Sequence, residues 1–263
     1  GQDAGTFFAQ LQDAQENGDY QTAETAYRKA VRAGSPEASM ALVSLHDEGY
    51  VKLSEKEHGR TVVKLATDSA EAGYVPAMYY LSNLYKNGRY VEKDTAKATE
   101  WLTRAAENGD VAAMTTLAEG YRKLCACGLN CTCGPDCAAK AALWPVNKDM
   151  DKALYWYKRA AEKGDTYSSC VLGEIYSEGV ETKLDYAEAA KWYRLGVEQG
   201  SGTAANNLAN LYLVGQGVPK DYAKASELYN SAMEHGVSGT AQYNLAELKL
   251  YATPPFRNHK EAV

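Results

Sequence analysis

DTAKATEWLTRAAENG (94–109), DMDKALYWYKRAAEKG (149–164), DYAEAAKWYRLGVEQG (185–200) and DYAKASELYNSAMEHG (221–236) are four copies of one pattern. Each opens on an Asp, whose carboxylate can accept a backbone N–H at the start of a helix. Each then places apolar residues at i, i+3, i+4 and i+7, the period of an amphipathic helix. Each stops at a Gly, which can take the left-handed conformation just past a helix end. Together these signals predict a helix, B, in every copy.

Reading outward, the closing glycines Gly34, Gly73, Gly109, Gly164, Gly200 and Gly236 are separated by 39, 36, 55, 36 and 36 residues. The array is therefore a repeat of about 36 residues with one insertion of about 19. A second helix, A, precedes each B. Ala77, Leu81, Leu84 and Tyr85 recur as Ala204, Leu208, Leu211 and Tyr212. Weaker copies are Ala113, Leu117, Gly120, Tyr121 and Ser168, Leu172, Ile175, Tyr176. Small residues at the first position let neighbouring helices approach closely. Short turns such as GQGVPKD (215–221) and EGVETKLD (178–185) join A to B, with Gly and Pro supplying the required dihedrals. Residues 7–34 read as two helices joined at Asn17-Gly18-Asp19, and Ala241–Val263 reads as one more A helix followed by a Pro254-Pro255 break. The expected organisation is one continuous domain. It comprises an N-terminal helix pair at 1–34, repeats over 35–240 with the insertion at 124–147, and a C-terminal capping helix and tail at 241–263.

Composition narrows the function. The formal net charge is −6, and no Lys/Arg cluster offsets it. Nucleic acid is therefore not an expected partner. An anionic membrane surface is disfavoured for the same reason. No apolar run approaches the ~18 residues a membrane helix needs. Tyrosine is abundant, with 20 residues against 3 Phe, which points to rings with one wet or hydrogen-bonded end. None of the four His stands in an H-E-x-x-H motif, and neither G-x-S-x-G nor a P-loop occurs. No enzyme activity is expected.

An A helix of the form A-x-x-x-L-x-x-x-Y, a G-x-G-V turn and D-x-x-K-A-x-x-W-Y-x-x-A-A-x-x-G resemble the Sel1-like repeat, a relative of the tetratricopeptide repeat. Gly215, Gly217, Val218, Asp221, Lys224, Ala225 and Tyr229 carry the likeness in one copy. Asp149, Lys152, Ala153, Trp156, Tyr157, Ala160, Ala161 and Gly164 carry it in another. Gly196-Val197 departs from the Ala-Ala pair, and the 35–73 repeat lacks Trp-Tyr. The N-terminal pair looks closer to a tetratricopeptide unit.

The resemblance implies an all-α fold, a right-handed α/α solenoid of helix pairs, whose A helices line a concave protein-binding face. Three columns are then expected on that face. The first holds Tyr79, Thr115, Cys170, Asn206 and Tyr243. The second holds Asn83, Glu119, Glu174 and Asn210. The third holds Lys86, Arg122, Ser177 and Leu213. Tyr167 stands beside them. Tyr85, Tyr121, Tyr176, Tyr212, Tyr157, Tyr193 and Tyr229 occupy repeat positions and are expected in the core, with Trp101, Trp156 and Trp192.

The insertion, LCACGLNCTCGPDCAAKAALWPVN (124–147), holds Cys125, Cys127, Cys131, Cys133 and Cys137, while Cys170 lies on the next A helix. Disulfides in an oxidising compartment are one reading, since long loops gain from stapling. A bridge inside either C-x-C would be strained. A thiolate site for Cu or Zn is the other; the paired C-x-C is closer to a soft-metal cluster than to C-x2-4-C zinc spacing. Free thiols are a third. Cys170 matches the position of Thr115, about 15 Å along a helix from Cys125, so it joins a bridge only if the loop folds back over the concave face. Otherwise it is a free thiol.

The expectation from the whole chain is a monomeric, non-catalytic protein-binding scaffold without a cofactor, periplasmic or secreted. The resemblance suggests an immunity protein that neutralises a type VI secretion effector such as a phospholipase toxin. The alternatives are a Cu/Zn-binding protein acting through the cysteines and a secreted or lumenal quality-control adaptor.

Overall fold

The computed structural model describes residue 13, residues 16–50, 54–122 and 149–252, with backbone only at Glu55 and 250–252. The described residues form twelve α-helices and no strand. They are α1 Tyr20–Arg32, α2 Pro36–Asp47, α3 Glu55–Glu71, α4 Val75–Asn87, α5 Thr95–Glu107 and α6 Val111–Arg122, followed by α7 Met150–Glu162, α8 Thr166–Glu178, α9 Tyr186–Glu198, α10 Gly202–Val214, α11 Tyr222–Glu234 and α12 Ser238–Ala252. Even-numbered helices are A and odd-numbered helices from α3 onward are B. The chain forms two compact units, one ending at Ala113 and one beginning at Met114.

The repeat signals act as local chemistry requires. Asp94, Asp149, Asp185 and Asp221 each accept the backbone N–H three residues on, at 3.0–3.1 Å. Gly109, Gly164, Gly200 and Gly236 close the B helices at φ of +87° to +99°, where any side chain would be strained. The next residue's N–H then reaches back five positions, as in Asp165 to Ala160 and Ser201 to Gly196 at 3.0 and 2.8 Å. That bond satisfies a terminal carbonyl and sets the turn into the following A helix.

The A-to-B turn is closed by a second recurring bond. The N–H of Asp94, Asp149, Asp185 and Asp221 donates to the carbonyl of Tyr85, Tyr121, Tyr176 and Tyr212, at 2.9–3.0 Å. The cysteine-rich insertion lies between Tyr121 and Asp149, so the chain leaves and returns through the same clamp as in the other repeats. That geometry lets the repeat tolerate about 19 extra residues.

Packing follows the repeat columns. Ala98, Ala153, Ala189 and Ala225, four residues into each B helix, have no exposed surface. Leu81, Leu117, Leu172 and Leu208 fill the A-helix core. Gly196, the departure from Ala-Ala, has a reason: a Cβ there would stand 2.7 Å from the Ala204 Cβ of α10. The aromatic core expectation holds for Trp156, Trp192, Tyr157, Tyr193, Tyr212 and Tyr229. It fails for Tyr85, Tyr121, Tyr176 and Trp101, which are half-buried. Their faces carry cations instead, with Lys97 over Tyr85 at 5.3 Å, Lys152 over Tyr121 at 5.3 Å and Arg104 over Trp101 at 4.3 Å.

Candidate protein-binding face

In the second unit α8 touches α10 and α10 touches α12, so the A helices stand side by side. This contact decides the fate of the expected columns. The first column faces the next A helix rather than solvent. Cys170 is buried, and its thiol lies 3.1 Å from the Ser201 hydroxyl at the start of α10. Asn206 is 7% exposed, and its carboxamide oxygen accepts from Asn244 of α12 at 3.1 Å. Thr115 is half-buried. Tyr243 stands in this column on the last described helix and is 64% exposed. Cys170 is a free thiol in the structure. Burial, opposed by the Ser201 hydrogen bond, pushes its pKa up, away from the reactive thiolate. The other five cysteines lie outside the described residues.

The second column does line an accessible face. Glu119 is exposed, while Glu174, Asn210 and Glu247 are half-buried. Asn83 of the first unit, like Tyr79 and Lys86, is half-buried as well. Behind this column the B helices supply a layer of tyrosine hydroxyls. Tyr229 donates to the Asn210 side chain at 2.6 Å. The Tyr193 hydroxyl meets Ser177 at 3.3 Å and also bonds Asn207. Tyr157 receives a hydrogen bond from Arg122. Burial is the main reason that Tyr193 and Tyr229 are pushed up to about 12, and it raises Tyr157 as well. These rings serve as core, and their hydroxyls form the floor of the A-helix face. Phe at those positions would leave Asn210, Asn207 and Arg122 short of a partner, which accounts for Tyr at these three repeat positions.

Arg122, expected in the open third column, is a correction. It is 5% exposed, and its Nε donates to Glu181 at 2.7 Å, with the Glu181 side chain 7% exposed. The reason is the turn after α8, which carries Glu181 over the end of α6. Ser177 and Leu213 of the same column are half-buried.

The face of the second unit is acidic. Tyr167, 53% exposed, bonds the Glu119 carboxylate, and burial beside that charge pushes it up to about 12. Burial and the neighbouring Glu178 hold Glu174 above the usual carboxylate range, against the pull of Arg122. Arg122 lies near this cluster, and its charge is already matched by Glu181. Among the described residues, no ion pair engages Glu119, Glu174 or Glu178. No group of three His, Cys, Asp or Glu able to hold a metal ion occurs among the described residues. No helix among them is long and apolar enough to cross a membrane.

Sequence reasoning missed Asn207, Asn244, Glu247 and the hydroxyl role of Tyr157, Tyr193 and Tyr229. The recurrence of Tyr eight residues after the N-cap Asp was the available signal, read there as core alone.

Known proteins agree with this architecture. The Sel1 repeat pattern matches residues 75–110, 142–165, 167–201, 202–237 and 239–263. The chitin synthase regulator SKT5 of Saccharomyces cerevisiae is 27% identical over 165 residues, 61% of this chain, and the chain spans 21% of that protein's length. A Sel1 repeat protein from Oxalobacter formigenes superposes with a TM-score of 0.58 at 27% identity, covering 94% of this chain and 91% of that one. The protective antigen c5321 of uropathogenic Escherichia coli, which displays an SLR fold, does so with a TM-score of 0.63 at 24% identity, covering 89% and 46%. With its pattern matched over more than half its length, and with the Asp caps, Gly stops and alanine columns in register, the chain belongs to the Sel1 repeat family.

Proposed function

We propose that this chain is a non-catalytic scaffold that holds a protein partner on the A-helix face of its second unit. The observation that supports this reading is the polar column Glu119, Glu174, Asn210 and Glu247, floored by tyrosine hydroxyls and flanked by exposed Tyr167. Carboxamides and carboxylates on a rigid helical surface recognise amide groups and cations, and tyrosine is enriched where binding energy concentrates. The acidic balance selects a partner segment that carries Lys or Arg. A one-to-one inhibitor of a secreted effector, acting in the periplasm, is the narrower form of this role that we propose. It requires a stoichiometric complex.

The test is affinity capture from a native extract with wild type and with Tyr167→Ala/Glu174→Gln, read by mass spectrometry. A single dominant protein held by wild type and weakened about 30-fold or more by the variant supports the reading. A partner retained equally by both places binding elsewhere and sinks it.

A further inference from the structure

His46 lies in the interior of the first unit with no exposed surface, and neither ring nitrogen has a hydrogen-bond partner among the described residues. Its helix, α2, packs between α1 and α3. From α3, His58 meets it edge-on with ring centroids 5.4 Å apart. The buried Nε2 of His58 also has no hydrogen-bond partner among the described residues, and it lies 3.7 Å from Asp47. From α1, Glu24 and Arg28 face the pair, but they bind each other at 2.6 Å. Asp47 is the remaining acid, and it is already engaged. Tyr80 of α4 donates to it at 2.5 Å, Tyr90 at 3.2 Å and Arg89 at 3.1 Å.

Tyr90 is itself held out of its preferred backbone. Its φ is +64°, a left-handed value found at no other non-glycine among the described residues. The Tyr90 ring packs on His58 with centroids 5.4 Å apart. It also fills the space beside Gly59, where a Cβ would stand 2.9 Å from Tyr90 Cδ1. The turn after α4 is thus fastened to α2 and α3 through one cluster, Asp47, His58, Tyr80, Arg89 and Tyr90.

We propose that this cluster is an acid-operated latch: when His46 takes up a proton, the packing of α1, α2 and α3 around it opens and the fastening of α4 is released. The proton has no good place in the closed unit. An imidazolium at His46 would be desolvated and would lie against the His58 ring, with the nearby acids already paired. The closed unit therefore keeps His46 neutral, and burial together with His58 holds its pKa below the ordinary value. The sign follows. A group depressed in the fold binds its proton more readily once the unit opens. Closure is then complete above about pH 6.5 and is lost, by up to about tenfold per pH unit, as pH falls below it.

Hydrogen exchange of the full chain, corrected for intrinsic rates, tests this between pH 7.5 and 5.5. In wild type, the opened population of α1–α3 is expected to rise, by up to about tenfold, on acidification, with α8–α11 showing no rise as the internal control. His46→Phe removes the titrating group and should flatten the rise. Equal opening at both pH values in wild type overturns the proposal, as does a full acid response in His46→Phe. Should that variant fail to fold, the ring 15N shifts of His46 in wild type decide. A ring that stays neutral while the unit is closed supports the latch, and a ring protonated inside the closed unit refutes it.

Discussion

Replacing Arg122 with Met tests whether a residue expected on a binding surface is in fact structural. The Arg122–Glu181 pair is 2.7 Å long, with side chains 5% and 7% exposed. Screening by water is therefore small. Methionine keeps most of the aliphatic packing and removes the cation. Glu181 would then be a buried carboxylate without a counter-charge, a situation that costs about 3–5 kcal/mol. Glu181 sits in a turn rather than a helix, so the chain can swing it toward water. The expected cost is therefore near the lower end, about 3 kcal/mol. Glu181→Met leaves the buried Arg122 cation without its carboxylate, although Arg122 keeps its hydrogen bond to Tyr157, and should cost a similar amount. The double variant Arg122→Met/Glu181→Met removes both charges and should return to within about 1 kcal/mol of wild type. Urea unfolding of the four proteins gives the cycle directly, with a coupling energy of at least about 2 kcal/mol expected. A cost below about 1 kcal/mol for Arg122→Met, or a coupling below about 0.5 kcal/mol, would refute the buried-pair account.

Other expectations follow from the same packing. Glu174 is raised by burial, so its charged form opposes folding at neutral pH, and that penalty disappears as pH falls until both states are protonated. Glu174→Gln should raise the urea midpoint at pH 7 and leave it unchanged below about pH 4; a loss of stability at pH 7 would contradict this sign. Gly173 faces the Tyr193 ring so closely that a Cβ cannot fit, whereas Gly239 meets open space. Gly173→Ala should cost about 1–3 kcal/mol, and Gly239→Ala should be neutral or stabilising, as thermal melts will show. Cys170 should resist iodoacetamide in the native protein and react at least about tenfold faster once unfolded, measured by peptide mapping.

The fold was legible because a repeat writes each rule several times. Asp94, Asp149, Asp185 and Asp221 cap where they were expected to cap, and the glycines turn where only glycine turns without strain. The site was less legible for a physical reason. A column of polar residues on an A helix is read the same way from sequence whether it meets solvent or the next A helix. Asn206 and Tyr243 share a column, yet one is covered by α12 and the other stands on α12 itself. Arg122 hid its role because its partner, Glu181, is a turn residue in the following repeat, with no periodic signal linking the two. Tyr157, Tyr193 and Tyr229 hid theirs because a repeated aromatic reads as core, and only the folded structure shows that each hydroxyl reaches the opposite helix. The half-buried Tyr85 and Tyr121 erred in the other direction. Lys97 and Lys152 of the neighbouring B helices place their ammonium groups over these rings, which stay partly open.

The central claim is that the A-helix face of the second unit holds a partner. It is tested most directly by placing a photo-crosslinking amino acid at one position at a time in the native setting. Tyr167 on α8 reports the proposed face, and Tyr155 on the B helix α7, 52% exposed against 53%, is the matched control. The account predicts that position 167 crosslinks to one protein with a Lys- or Arg-bearing contact segment, and that position 155 does not. Crosslinking at 155 alone, or at both positions equally, would contradict it.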